Sequence, residues 1–98
     1  YFFLFMEAMQ EAAIEMGLSE EIARTLTYQT ALGAAELALS SKSSTAELRR
    51  NVTSPGGTTE KAIESFEAGG LRKLVAGALR AAQQRSISLA AELGGDKP

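Results

Sequence analysis

The stretch "NVTSPGGTTEKAIE", residues 51–64, decides how the chain is organised, because it interrupts a nearly continuous helical pattern and then restarts it. Pro55 fixes one backbone angle, and Gly56 and Gly57 can adopt angles that other residues avoid. Thr58 or Thr59 then offers a side-chain cap for the helix that follows. Local physics therefore favours a turn between two helices, and it leaves open a second interpretation of the same atoms.

That second interpretation is an anion-binding site. A Gly-Gly step into a helix exposes backbone N–H groups that have no partner inside the helix, at the positive end of the helix dipole. The hydroxyls of Ser54, Thr58 and Thr59 could add hydrogen bonds. The GxxxxGK[ST] spacing of a phosphate-binding loop is absent, so a small carboxylate is a better candidate ligand than a nucleotide phosphate.

The rest of the sequence predicts an all-α fold. No alternation of period two persists, and the apolar content comes from Ala, Leu, Ile and Met rather than from aromatic residues, which make up 6%. We predict helices over residues 1–16, 19–40, 45–51, from 58 to the glycine pair at 69–70, and 71–93, followed by a frayed tail at 94–98.

Several helix ends carry recognisable signals. Gly17 can take the left-handed conformation that ends a helix, and Ser19 is the predicted N-cap of the second helix, with acidic residues in its first turn. Ser44 followed by Glu47 matches a capping box and opens the short third helix.

The apolar pattern predicts a partner. Residues 1–6, "YFFLFM", are apolar on every side, which is typical of a helix buried all round. The small residues of "TALGAAELA" at 30–38 let another backbone approach closely, and the last helix carries a long apolar stripe. A domain of this size buries only about 60–65% of its unfolded surface, so a partner subunit or a missing domain should cover the remainder, and we expect a homodimer.

Composition excludes several classes of function. The net charge of −2 and the pI near 5.1 argue against nucleic acid as a partner. The absence of cysteine and histidine excludes disulfides, thiolate metal sites and a Ser-His triad, and we expect no metal. The apolar hexamer is far shorter than the roughly 20 residues of a membrane span, so no membrane partner is expected. The chain does not begin with Met, and we expect it to be a fragment.

The segment "ELRRNVTSPGGTTEKAIESFEAGGL" resembles the signature of pyrroline-5-carboxylate reductase, and the similarity continues through "GLSEEIARTLTYQTALGAAELAL" upstream and "AAQQRSISLAAELG" downstream. The resemblance covers essentially all 98 residues and rests on the specific string Val52 to Thr59. It implies that residues 1–98 form the C-terminal dimerisation and substrate-binding domain of such an enzyme, with interlocked helices, and that the N-terminal Rossmann domain is absent from this chain.

The family resemblance also implies a function. Such enzymes reduce 1-pyrroline-5-carboxylate to L-proline with NADPH or NADH, the last step of proline biosynthesis, in the cytoplasm. The nicotinamide cofactor is bound mainly by the absent N-terminal domain, so the isolated fragment is expected to be inactive. Homodimers in the family can assemble further into decamers, which are pentamers of dimers.

The resemblance assigns site residues as well. The substrate carboxylate would be bound by Ser54, Gly57, Thr58 and Thr59, and the Thr59 hydroxyl would reach toward the ring nitrogen as the catalytic group. Lys42 stands where several relatives are acidic, and Thr45 replaces a common proline, so the entrance to the site departs from the family pattern.

Two alternatives to the reductase remain. One is a purely structural helical homodimerisation module without a ligand, and the other is a small anion-binding domain unrelated to proline. A dinucleotide-binding unit encoded immediately upstream would favour the reductase over both.

Overall fold

The computed structural model describes residues 1–94, and all regular structure in that range is helical, as predicted. The five helices are α1 Phe2–Glu15, α2 Glu20–Ser40, α3 Thr45–Asn51, α4 Thr58–Ala68 and α5 Leu71–Gly94. Each lies within one residue of its predicted bounds. The predicted frayed tail lies outside the described residues except for Gly94, which is the last residue of α5.

The chain divides into two compact units, the first of residues 1–51 and the second beginning at Val52. In the first unit, α1 packs against α2. The half-buried residues of α1, Met6, Gln10 and Ala13, recur at the four- and three-residue spacing of one helix face. On α2 the fully buried residues are Ala23 and Thr27, also one turn apart, and the Thr27 hydroxyl donates to the Ala23 carbonyl at 2.8 Å.

The turn between α1 and α2 shows why Gly17 is needed. Its φ is +110°, and the N–H groups of Gly17 and Leu18 donate to the carbonyls of Ile14 and Ala13 at 3.0 and 3.1 Å. These two bonds form a Schellman motif, which satisfies carbonyls at the end of α1. Ser19 then caps α2 as predicted, accepting from the Ile22 N–H at 3.2 Å.

In the second unit, α4 packs against α5. The two helices meet at Gly69 and Gly70, and Gly70 has a φ of +81°. Arg72 bridges the corner, because its guanidinium donates to both carboxylate oxygens of Glu67 at 2.8 to 3.0 Å. Hydrogen bonding and the charge of Glu67 raise the pKa of Arg72. The pair is well exposed, so it orients the corner more than it stabilises the fold.

A single chain leaves most of its large apolar side chains open, including those in the first two turns of α1, which were expected to be buried with the help of a partner. Tyr1, Phe2 and Phe3 are each at least 80% exposed. The small-residue segment of α2 likewise lies open, since apart from the neighbouring backbone of α2 no atom of the described residues approaches within 4 Å of the place where a Cβ on Gly33 would be. Burial of these surfaces therefore has to come from outside residues 1–94.

Candidate functional site

The segment Ser54 to Gly57 forms a tight turn. The Gly57 N–H donates to the Ser54 carbonyl at 2.9 Å, and Gly56 has a φ of +73°. Proline at the second position and a positive φ at the third are the features of a type II β-turn. A Cβ on Gly57 would lie 3.1 Å from the Ser54 carbonyl oxygen, which is closer than most real contacts. The two glycines are thus required for different reasons, Gly56 for its dihedral angle and Gly57 for its closeness to Ser54.

The start of α4 differs from the prediction. The N-cap is Gly57, with extended backbone angles and no side-chain hydrogen bond, so neither Thr58 nor Thr59 caps the helix. The turn places Gly57 in the capping position because its N–H is already bonded to Ser54. The first helical hydrogen bond runs from the Lys61 N–H to the Gly57 carbonyl at 3.3 Å. The two threonines therefore lie inside the first helical turn.

A carboxylate completes the turn. The Glu60 side chain accepts from the Gly56 N–H at 2.8 Å. Sequence reasoning did not assign this residue, although an acidic residue at the third helical position is itself a signal for such a contact. Lys61, by contrast, pairs with Glu64 at 3.6 Å with both side chains exposed, so it is a surface charge.

The arrangement offers hydrogen-bond donors to a ligand. At α2 and α3, the serine N-cap accepts from the third helical amide, namely Ile22 in α2 and Glu47 in α3. At α4 a glycine stands in that position, so no N-cap side chain occupies the amides of Thr59 and Glu60. These amides lie at the positive end of the helix dipole, where a carboxylate is favoured.

The four residues predicted to bind the substrate come together in this one segment. Ser54, Thr58 and Thr59 are exposed and Gly57 is half-buried. The Gly57 N–H is used by the turn, so its contribution is to shape the backbone rather than to donate. The segment carries three hydroxyl groups, and their side chains are open to solvent in the single chain.

Lys42 lies in the loop before α3, and Thr45 is the first residue of α3. Ser44 and Glu47 form the predicted capping box, with the Ser44 N–H donating to Glu47 at 2.8 Å and the Glu47 N–H donating to the Ser44 hydroxyl at 3.1 Å. The pKa of Glu47 is lowered mainly by the hydrogen bond from the Ser44 backbone and to a smaller extent by that from the Ser44 side chain. Thr45 opens the helix as its first residue, and Arg49 and Arg50 lie in its last turn, where positive charge suits the dipole. α3 thus forms with Thr45 as its first residue.

A separate groove lies between α1 and α2. It encloses about 710 Å³. Its lining is mainly apolar and consists of Phe3, Leu4, Met6, Glu7, Gln10 and Tyr28. The groove has the character of a surface that takes apolar side chains rather than a small polar substrate.

Two further properties concern the described part of the chain. Among residues 1–94, acidic side chains do not gather into a group that could hold a metal ion. A search of the same residues found no helix that is both long and apolar enough to cross a membrane.

Comparison with known proteins agrees with the geometry. A family model described as pyrroline-5-carboxylate reductase dimerisation matches residues 1–89. The chain is 62% identical over 94 residues to the pyrroline-5-carboxylate reductase of Pseudomonas aeruginosa, an alignment that covers 96% of this chain and 34% of that protein. It is 39% identical over 89 residues to pyrroline-5-carboxylate reductase 3 of Xenopus laevis, covering 91% of this chain and 32% of that protein.

Solved structures show the same fold. A pyrroline-5-carboxylate reductase from Coxiella burnetii superposes with a TM-score of 0.87 at 55% identity, over 91% of this chain and 33% of that one. The Plasmodium falciparum pyrroline carboxylate reductase with NADP bound gives 0.85 at 34% identity, over 88% of this chain and 33% of that one. This chain spans about a third of the length of the relatives it matches.

The five helices and the family match together define an all-α dimerisation domain. The chain belongs to the pyrroline-5-carboxylate reductase family.

Proposed function

We propose that residues 1–98 are the C-terminal dimerisation and substrate-binding domain of a reductase that converts 1-pyrroline-5-carboxylate to L-proline with NADPH or NADH, the last step of proline biosynthesis. The relatives' names and the family model support this proposal. The observation that carries it is the glycine N-cap of α4, which leaves the amides of Thr59 and Glu60 without a capping side chain beside two threonine hydroxyls.

The substrate carboxylate would bind at the start of α4. The backbone amides of this first turn donate to it, and the hydroxyls of Ser54, Thr58 and Thr59 complete its coordination. Glu60 and Lys61 give this turn no net charge, so a single carboxylate suits it better than a phosphate dianion. Gly57 contributes by shaping the turn, because a side chain there would press against Ser54.

Thr59 is the proposed catalytic residue. In the substrate, the carboxylate carbon and the ring nitrogen are attached to the same carbon atom. A residue that binds the carboxylate through its backbone N–H can therefore reach the nitrogen with its side-chain hydroxyl. The Thr59 hydroxyl would hold the C=N bond in a fixed orientation, which is a contribution of proximity and alignment.

The reaction adds a hydride to the carbon of the C=N bond and a proton to its nitrogen. The nicotinamide cofactor supplies the hydride. Residues 1–94 contain no strand followed by a glycine-rich turn, so they lack the main feature of a dinucleotide-binding domain. We assign cofactor binding mainly to a separate N-terminal domain, and this chain alone is expected to be inactive.

The partner of the domain would be a second copy of the same chain. The family description names dimerisation, and α1 and α5 present apolar side chains that a single chain leaves open. Burial of apolar surface is worth about 25 cal/mol per Å², which favours interlocking of helices between two copies. Further assembly into a decamer, and a cytoplasmic location, belong to the proposal by the same family likeness.

A kinetic assay tests the reductase proposal. The full-length protein is incubated with 1-pyrroline-5-carboxylate and either NADPH or NADH, and oxidation of the cofactor is followed together with proline formation. We expect proline in a one-to-one ratio with oxidised cofactor. A well-folded dimer that forms no proline would favour the alternative, a purely structural homodimerisation module without a ligand.

A further inference from the structure

The side chain of Glu60 links the first turn of α4 to the turn that precedes it. Its carboxylate accepts a hydrogen bond of 2.8 Å from the Gly56 N–H. Glu60 is half-buried and lies on the same side of α4 as Gly57 and Ile63, which are also half-buried. The carboxylate is therefore directed back to the turn that precedes the helix.

Comparison with α3 shows what is unusual about this contact. At α3 the carboxylate of the third helical residue, Glu47, accepts from the N–H of the N-cap residue, Ser44. At α4 the N-cap residue is Gly57, and its N–H is already bonded to Ser54. The carboxylate of the third helical residue consequently reaches one residue further back, to Gly56.

This shift ties the two halves of the site together. Gly56 is the residue whose φ of +73° gives the turn its shape, and Glu60 belongs to the helix whose first amides would bind the substrate. We propose that Glu60 is a positioning residue that holds the Ser54–Gly57 turn against the first turn of α4 and so preforms the substrate-carboxylate site. This inference rests on the proposed function.

The expected effect is on substrate binding rather than on hydride transfer. A turn that is already ordered avoids the entropic cost of ordering it when the substrate binds. Removing the Glu60 acceptor frees the Gly56 N–H and allows the glycine pair to sample other conformations. Since the carboxylate bonds to Gly56 and not to the threonines, the orientation of the reacting C=N bond depends on it only indirectly.

Three variants of the full-length reductase test this role. Glu60→Ala removes the acceptor, and Glu60→Gln keeps an acceptor oxygen but removes the charge. Glu64→Ala is the matched control, because Glu64 lies one turn further along α4 and its ion pair is with Lys61. The readouts are kcat, KM for 1-pyrroline-5-carboxylate, KM for the cofactor, and hydrogen–deuterium exchange of the peptide that contains Gly56.

For Glu60→Ala we expect KM for the substrate to rise about tenfold, the scale of one hydrogen bond to a charged group, with kcat and KM for the cofactor within about twofold. Exchange at Gly56 should accelerate. Glu60→Gln should restore most of the substrate affinity and the slow exchange, whereas Glu64→Ala should resemble the wild type.

An unchanged KM for Glu60→Ala would overturn the inference while leaving the reductase intact. Equal losses in Glu60→Ala and Glu60→Gln would also overturn it, since they would point to the charge rather than to the hydrogen bond. A wild-type protein without reductase activity would defeat the proposed function; unchanged exchange at Gly56 in Glu60→Ala would then overturn the structural part of the inference separately.

Discussion

At the scale of single residues, the function depends on which groups the start of α4 leaves available. A serine at the N-cap would occupy the third helical amide, as Ser19 and Ser44 do at their helices. Gly57 has no side chain to do this, and the start of α4 has no side-chain cap hydrogen bond. The absence of one capping side chain is thus what gives this helix a possible ligand site.

The role proposed for Thr59 predicts a kinetic effect without a structural one. Thr59→Ala in the full-length enzyme should lower kcat/KM by about tenfold to a hundredfold, since the hydroxyl orients the reacting bond. Thr59→Ser, which keeps the hydroxyl, should recover most of the activity. Light scattering should show an intact dimer in both, and a kcat/KM for Thr59→Ala equal to the wild type would contradict the assignment.

Gly56 predicts a conformational effect. Gly56→Ala places a Cβ on a residue with a φ of +73°, which should cost about 1–2 kcal/mol in the free energy of unfolding. Gly77 is the matched control, because it lies inside α5 and a Cβ there would have no neighbour within 4 Å in the described chain. Gly77→Ala should not destabilise the protein in thermal unfolding, since alanine is the better helix former. Equal stability of the two variants would refute the conformational role of Gly56.

At the scale of helices and turns, the sequence predicted helix caps correctly where the capping residue and its partner are three positions apart. Ser19 with Ile22 and Ser44 with Glu47 are such pairs, and both were predicted. The start of α4 was predicted wrongly in one respect, because its cap depends on the Ser54–Gly57 turn formed just before it. The Glu60 carboxylate accepts from the Gly56 N–H because the turn already uses the Gly57 N–H. Residue types alone do not reveal this.

The capping box of α3 predicts a dependence of stability on pH. The hydrogen bonds from Ser44 lower the pKa of Glu47 from its ordinary value of 4.5. Because the folded pKa lies below the unfolded one, the stabilisation is fully present above about pH 4.5 and is lost as the pH falls through the lowered value. The difference in melting temperature between wild type and Glu47→Gln should therefore shrink between pH 6 and roughly pH 3.

An exposed carboxylate on another helix provides the control. Glu11→Gln, in α1, serves this purpose, because Glu11 lies outside the capping box of α3. A gap between wild type and Glu47→Gln that stays constant down to the lowest pH would show that the box does not depend on the charge of Glu47.

At the scale of the whole molecule, the sequence predicted the fold class and the need for a partner, but not which surfaces the partner covers. An apolar residue contributes to the same hydrophobic pattern whether its own chain or another chain buries it. The apolar stripe of α5 is such a case, since Leu74 is 68% exposed and Leu93 is 84% exposed in the single chain. The structure is needed to tell whether an apolar residue is buried by its own chain or is left for another chain to bury.

The oligomeric state follows from this exposure. We expect the chain to be a dimer at micromolar concentration, with a mass by light scattering of twice the 10.4 kDa of one chain. Phe3→Asp, which puts a charge into the groove between α1 and α2, should shift the mass toward the monomer. Glu11→Gln in the same helix is the control and should remain dimeric. A monomeric wild type at this concentration would refute the dimer.

Within residues 1–94 the fully buried side chains are those of Ala23 and Thr27. A newly made chain with so little interior of its own cannot complete its folding alone, if the proposed dimer is what covers the rest. The final step of folding is then the association of two chains, and the rate of that step rises with the square of the monomer concentration. The amount of dimer in a cell would then respond to synthesis more steeply than in direct proportion, with proteolysis removing the chains that have not yet met a partner.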